Sequence, residues 1–509
     1  MQLVFYGHDF KYEVESLCKL FFPCVKCELI YDSLDFLNSQ DDFIFTRVLK
    51  KCGAGLCYAY VRVGDKTYKK SVSLKNGIEN FEKECEISLC TVLYKVLSKC
   101  TGITPEWGIL TGIRPVKRIQ KYISDGMTDD NIINHLSRKY LVSENKARLG
   151  IETAKAQRPI LKTADNFSYS LYVAIPFCPS RCSYCSFISQ SAADKNVYKL
   201  IPEYLECLYK ELEYTANIAK ALGLTLKTVY IGGGTPTVLS AEQLAELTEK
   251  VAEYFDFSHV TEYTVEAGRP DSISEEKLRA IKSAGATRIS INPQTLNDEV
   301  LQRIGRKHTS EQFFESFELA RKLGFNNINT DFIAGLPKDD LESFYHSIDS
   351  ASRLSPENIT VHTLAMKKAA RIYENAHGQA EYSGDTGKMV EYARNKLSQN
   401  GYRPYYLYRQ KNTVENLENV GYAKPGFECV YNVYIMEETH TILACGASAS
   451  TKLVNIDKSY IERVFNYKYP FEYIRGFDAI QQRKKGIIDF YAREFNKSCK
   501  VEIPDFRNK

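Results

Sequence analysis

Hydrophobic spacing along the chain changes character near residue 171. Before it, short β-rich runs such as LVFY (3–6), DFIFTRV (42–48) and LCYAYVRV (56–63) precede helical patterns near residues 79–99, 113–124 and 142–158. Period-two runs followed by period-3.6 runs predict an α+β domain over residues 1–160. After it, β-branched strands alternate with amphipathic helices. LYVAI (171–175) is followed by a helix near 196–222, TVYI (228–231) by one near 240–255, and EYTVE (262–266) by one near 274–284. TRISI (287–291) precedes helices near 297–323, NINTDFI (327–333) precedes one near 339–353, and NITVHTL (358–364) closes the series. Strand–helix alternation predicts a parallel α/β sheet that right-handed crossovers curl into a partial or complete barrel over residues 165–380. Ser240 and Gln243 form a candidate capping box, and Gly285 stands where a helix stop is wanted.

Beyond residue 380 the alternation weakens. A helix, a Tyr-rich strand YRPYYLYR (402–409), a loop containing NLENVGYAKPGFE (416–428) and a strand TILACG (441–446) read as a C-terminal region, 381–509. Its last forty or so residues carry RKK and no motif, and read as helical or loosely ordered.

A length of 509 residues favours two or three domains. No apolar stretch approaches the roughly eighteen residues needed to span a bilayer, so membrane insertion is not expected. The start, MQLVFYGHDFKYEVE, turns polar too early for a signal-peptide core, which gives a cytoplasmic expectation. Sixty-seven basic against 63 acidic residues leave a net +4, too little for a general nucleic-acid affinity. Fifteen cysteines in such a chain point to thiols and a metal site, not disulfides.

Three of them stand out. Directly after the first barrel strand, YVAIPFCPSRCSYCSF places Cys178, Cys182 and Cys185 in a C-x3-C-x2-C array, at the strand end where barrel active sites lie. Thiolates bind soft iron and zinc, but a zinc site takes four protein ligands and the local frame holds no fourth Cys or His. Three thiolates on a 4Fe-4S cluster leave one iron open to a small chelating ligand. The pairs Cys24/Cys27 and Cys52/Cys57 read as incidental or buried thiols. After the second strand, Gly232, Gly233 and Gly234 in IGGGTPT let the backbone approach a ligand. Glu266 ends the third strand, where a carboxylate can hydrogen-bond a ribose diol. Gln294 and Asp331 end the next two, with Arg306 between them.

YVAIPFCPSRCSYCSF, IGGGTPT, the stretch from Gln294 to Asp331 and IAGLP together resemble the oxygen-independent coproporphyrinogen III dehydrogenase group of radical S-adenosylmethionine (SAM) proteins. TPEWGILTGIRPVK, VEAGRPD and NLENVGYAKPG are similar to its HemZ-type branch, extending the match to nearly the whole chain. The resemblance implies a partial (β/α)6 TIM-like barrel, a 4Fe-4S cluster on the three cysteines, and SAM chelating the open iron. It further implies that Tyr172 contacts the cofactor and handles substrate, that Tyr184 lies by adenine, that the glycine run and Thr235 hold the methionine part, and that Glu266, Gln294, Arg306 and Asp331 surround ribose and carboxylate.

Three positions depart from the family pattern: Ala174 in place of a histidine, Phe187 in place of a fourth cysteine, and Asn432 where a glutamine helps hold a second SAM. The implied activity is oxidative decarboxylation of coproporphyrinogen propionates to vinyl groups, with a tetrapyrrole substrate and a flavodoxin or ferredoxin as electron donor. A haem-binding chaperone, or a radical SAM enzyme acting on haem, is the alternative. Arg269, Arg288, Arg306, Lys307, His308, Arg114, Lys117 and Arg118 are candidates to meet substrate carboxylates.

Overall fold

The computed structural model describes residues 1–23, 25–34, 41–51, 54–75, 79–187, 189–367, 370, 385–497 and 499. Cys24 and Cys52 lie outside the described residues; their sequence neighbours Cys27 and Cys57 carry free thiols. The chain divides into two compact units, residues 1–154 with 409–417, and residues 155–408 with 418–509.

In the first unit β1 (Gln2–Tyr6), β2 (Glu28–Tyr31), β3 (Phe43–Lys51), β4 (Ala54–Val63) and β5 (Lys66–Leu74) form a sheet in the order β2-β1-β3-β4-β5. Strand alternation orients it: Cys57, Ala59 and Val61 of β4 are buried between less buried neighbours. They share a core with Leu89, Leu93 and Leu97 of the helix Phe81–Thr101. Asn80 caps that helix through the Lys83 amide, and Gly102 ends it in the left-handed region at φ 76°.

The second unit is built on β6 (Ser168–Ile175), short β7 (Phe177–Cys178) and β8 (Gln190–Ser191), β9 (Thr225–Gly233), β10 (Glu262–Glu266), β11 (Arg288–Ser290), β12 (Ile328–Ala334) and β13 (Asn358–Thr363). Strands β6, β9, β10, β11, β12 and β13 are neighbours in that order and all parallel, with helical crossovers between them. β14 (Arg403–Arg409) and β15 (Glu418–Ala423) extend one side, β15 running antiparallel to β13. β16 (Thr441–Cys445) runs parallel to β6 on the other side and leads into antiparallel β17 (Ser450–Asn455) and β18 (Tyr460–Phe465). The sheet ends at β14 and β18, so the (β/α)6 barrel is partial and carries a C-terminal extension. The capping box forms as expected, with Ser240 Oγ accepting from the Gln243 amide and Gln243 Oε1 from the Ser240 amide.

One segment differs from the sequence reading, and the helices expected near 297–323 and the helical end are present. NLENVGYAKPGFE is not all loop: Glu418–Ala423 is a wholly buried strand, because pairing with β13 satisfies its backbone. The chain near 297–323 forms two helices, Asp298–Arg303 and Ser310–Lys322, the second begun by a Thr309–Gln312 capping box. The C-terminal stretch holds an ordered helix, Phe477–Phe495, with Ile480, Ile487, Phe490 and Tyr491 buried.

Candidate active site

The three cysteines follow β6, whose last residue is Ile175. Their loop is tied down on several sides. The Gln190 and Ala192 amides donate to the Pro176 and Cys178 carbonyls at 2.8 Å, while the Ser183 amide donates to Ile304 O at 2.9 Å and Ser180 Oγ to Gly305 O at 3.1 Å. Arg269, buried just past β10, pairs with both oxygens of Asp271 at 2.9 and 2.7 Å. The same guanidinium donates to Ser180 O at 3.2 Å, Ser180 Oγ at 3.0 Å and Cys182 Sγ at 3.5 Å. Thr235 Oγ1 donates to Cys178 Sγ at 3.6 Å. Burial lifts the Cys185 thiol to about 11 and raises that of Cys178, so both keep their protons until a metal displaces them.

The glycine run passes behind this loop. The Gly234 and Thr235 amides donate to the Ile175 and Phe177 carbonyls at 2.8 Å. A Cβ at Gly234 would lie 2.4 Å from Phe177 O and 3.0 Å from Cys178 Sγ, and one at Gly232 would lie 2.9 Å from the Glu266 carboxyl. Gly233 sits at φ +110°. Only glycine lets the strand end pass this close to the thiol loop.

Glu266 ends β10 as expected, whereas Asp331 lies in the middle of β12 and Gln294 past the end of β11, and the two acids are in different states. Glu266 Oε1 accepts from Tyr230 OH at 2.5 Å; burial, helped by nearby Asp331, pushes its carboxyl up to about 7 against that bond and the Gly233 amide. Burial also pushes Asp331 upward, but His362, Asn329 and Thr360 outweigh it and hold the acid below its ordinary value. Asn329 Nδ2 donates to Asp331 Oδ1 at 2.7 Å, and His362 Nε2 lies 3.8 Å from Oδ2. Gln294 adopts φ 72° and is stitched to β12, its amide donating to Asp331 O and its carbonyl accepting from Ile333, each at 2.9 Å. Arg306 is buried, donates to Asn292 O at 2.6 Å and bonds the Tyr184 hydroxyl.

Tyr172 stacks beside a pair of rings, 6.1 Å from Tyr230 and 6.2 Å from Tyr431, which are themselves 4.5 Å apart. Contacts or shared charge therefore link Tyr172, Glu266 and Asp331 on one side, and Tyr184, Arg306 and the cysteines on the other. Tyr230 and Tyr431 were absent from the sequence-derived set. Tyr230 had a signal, since it precedes Gly232 by two and so shares its strand face; Tyr431 had only its neighbour Asn432, already singled out.

The candidate substrate cations separate. Arg269 serves the cysteine loop, and Arg288 is buried, donating to Phe427 O at 3.4 Å. His308 is buried and Lys307 exposed. In the first unit, Arg118 donates to Tyr140 OH at 2.7 Å. Of the departures, Ala174 packs against Ala444 and Ala449, Phe187 is 71% exposed, and Asn432 Nδ2 donates to Tyr405 OH at 3.4 Å.

The residues present fit an iron–sulfur cluster with a chelating nucleoside ligand. The thiols are soft donors of the kind iron–sulfur clusters take, and the glycine strap packs directly on the thiol loop where a Cβ would collide with it. Arg306 Nε and Asn292 Oδ1 are buried without hydrogen-bond partners, polar atoms suited to a ligand. Among the described residues no three His, Cys, Asp or Glu side chains converge closely enough for a single ion.

Residues 172–351 match the radical SAM superfamily. The chain is 39% identical over 504 residues to the oxygen-independent coproporphyrinogen-III oxidase-like protein HemZ of Bacillus subtilis, covering 96% of both. It is 34% identical over 312 residues to the heme chaperone HemW of the same organism, covering 59% of this chain and 77% of that one. In structure it is similar to coproporphyrinogen III oxidase (HemN) from Escherichia coli, described as a radical SAM enzyme, with a TM-score of 0.50 and 23% identity over 64% of this chain and 73% of that one. At that identity the likeness concerns the fold. Among the described residues no helix is long and apolar enough to cross a membrane.

Proposed function

The chain belongs to the HemZ family of radical SAM proteins, which implies a 4Fe-4S cluster and SAM, and from that premise we propose that it oxidatively decarboxylates propionate side chains of coproporphyrinogen III to vinyl groups, forming protoporphyrinogen IX. The observation that carries this reading is one juxtaposition. The thiol loop after β6, the glycine strap after β9, Glu266 at the end of β10 and Asp331 within β12 lie on strands of one parallel sheet, with β11 between the last two.

In this reading Cys178, Cys182 and Cys185 hold the cluster. Gly232, Gly233, Gly234 and Thr235 hold the methionine part of SAM, Glu266, Gln294, Arg306 and Asp331 surround its ribose and carboxylate, and Tyr184 lies by adenine. When bound and reduced, the pair supplies a carbon radical that removes one hydrogen atom from the substrate. Each propionate would then lose carbon dioxide and pass one electron to an external one-electron acceptor, becoming vinyl. The chain's own work is positioning and exclusion of water. Asp331, held anionic, accepts hydroxyl or ammonium donors. Arg306, a guanidinium beside Tyr184, Cys182 and Asp271, fixes an anionic group. Tyr172 presents its ring where substrate meets cofactor. A flavodoxin or ferredoxin is proposed as electron donor.

A haem-carrying role is the second reading, favoured by the similarity to HemW. Anaerobic incubation of reduced protein with SAM and either coproporphyrinogen III or haem separates the two. Vinyl products support the first reading; stable haem binding with unchanged coproporphyrinogen supports the second.

A further inference from the structure

Glu266 is not a free carboxylate waiting on solvent. Tyr230 approaches it from the same strand that supplies the glycine strap, and its hydroxyl donates to Oε1 at 2.5 Å. The approach depends on Gly232, where a Cβ would stand 2.8 Å from Tyr230 Cε1 and 2.9 Å from Glu266 Cδ. The ring is fixed from its face by Tyr431 at 4.5 Å and beyond by Tyr172 at 6.1 Å. One phenol thus connects an aromatic stack drawn from β6, β9 and the helix Val430–Glu437 to the acid at the end of β10.

We infer that Tyr230 is a positioning residue for SAM, its hydroxyl holding the Glu266 carboxylate oriented and ionised so that the remaining oxygen can accept the ribose diol. The inference rests on the proposed reading of Glu266 as the ribose contact. Two electrostatic facts support it. Burial and the neighbouring Glu266 push the Tyr230 phenol well above its ordinary value, so it stays a donor through the working range. Burial, with Asp331, lifts Glu266 to about 7, and the Tyr230 bond opposes that rise. The titratable groups facing Glu266 are Tyr172 on β6, Tyr230 on β9, Asp331 on β12 with His362 on β13 beside it, and Tyr431 on its helix. Arg288 on β11 is committed nearer Glu262, Cys429 and Tyr405.

The sign follows. An ionised Glu266 accepts ribose hydroxyls and a protonated one does not do so as well, so SAM affinity falls as pH drops through about 7. Removing the phenol raises the acid further and moves that midpoint upward.

The test is SAM binding, by calorimetry, to cluster-reconstituted protein without reductant, so that no SAM is consumed, from about pH 6 to about pH 9. Tyr230→Phe is expected to bind SAM roughly five-fold more weakly at about pH 7, with the midpoint about one unit higher and near-normal affinity at about pH 9. Iron content, measured alongside, is expected to be unchanged. A Tyr230→Phe midpoint equal to the parent's overturns the inference. Glu266→Gln separates the two failures. If it weakens SAM while Tyr230→Phe moves nothing, only the role of Tyr230 falls; if it binds SAM as the parent does at every pH, the ribose reading falls too.

Discussion

Cys182 differs from its two companions in its surroundings. It is buried, and its sulfur accepts from Arg269, whose charge is anchored on Asp271. These contacts fix the sulfur's place in the loop. Cys182→Ala is therefore expected to give a folded protein that stays colourless after iron and sulfide reconstitution and does not cleave SAM. Retention of full colour and cleavage would contradict the assignment of this ligand. At this scale the sequence was informative where chemistry is local: the cysteine triple and the glycine run each lie within one short segment. It was silent on contacts made by folding. Tyr230 and Glu266 are 36 residues apart and meet because β9 and β10 are neighbours. In the sequence Arg269 resembled any substrate-facing cation, and only the packed structure brings it to Ser180 and Cys182.

Among the elements, the strap after β9 and the helix Val430–Glu437 decide how rigid the site is. Gly234→Ala pushes a methyl group into Phe177 O and toward Cys178 Sγ. The expected result is a loss of about 1–3 kcal/mol with poor cluster retention, read by thermal unfolding and iron content. Normal iron content would show that the strap yields without disturbing the loop. Glu262 closes the start of the helix that carries Tyr431. It accepts from the Val430 amide at 2.7 Å, the Tyr431 amide at 3.3 Å and Cys429 Sγ at 3.2 Å. Glu262→Ala is expected to cost about 1–2 kcal/mol, the range for losing a helix cap, measured by denaturant unfolding.

Elements with a one-sided pattern were readable in advance, as with the alternation of β4 and the capping box at Ser240. β5 was not, because KTYKKSVSL is exposed along nearly its whole length and shows no apolar stripe. β15 was not either: its Asn and Gly read as turn residues, whereas Gly421 is needed because the Tyr406 ring occupies the space a side chain would take.

Across the whole molecule, the C-terminal region completes the barrel sheet and supplies part of its interior. β16 pairs with β6, the strand that leads into the cysteine loop, and behind this pair lies a buried charge network. Glu211 accepts from Lys484 at 2.9 Å, the Gly446 amide at 2.8 Å, Asn466 at 2.7 Å and Tyr473 at 2.5 Å, while Lys484 also donates to Ala444 O at 2.7 Å. Lys484→Met leaves the acid uncompensated and is expected to cost about 3–5 kcal/mol, with Glu211→Gln/Lys484→Met recovering part of the loss. Equal stability of the single variant and the parent in denaturant would contradict a structural role for the pair. No run of sequence announced this network, because its members come from three helices, a strand and two loops.

The measurement that bears most directly on the proposed reaction is an anaerobic incubation of reconstituted, reduced protein with SAM and coproporphyrinogen III, following 5′-deoxyadenosine and tetrapyrrole products together. Vinyl-bearing products with matching 5′-deoxyadenosine are expected. Deoxyadenosine formed while coproporphyrinogen stays intact would contradict the decarboxylase and leave a radical SAM protein with another partner.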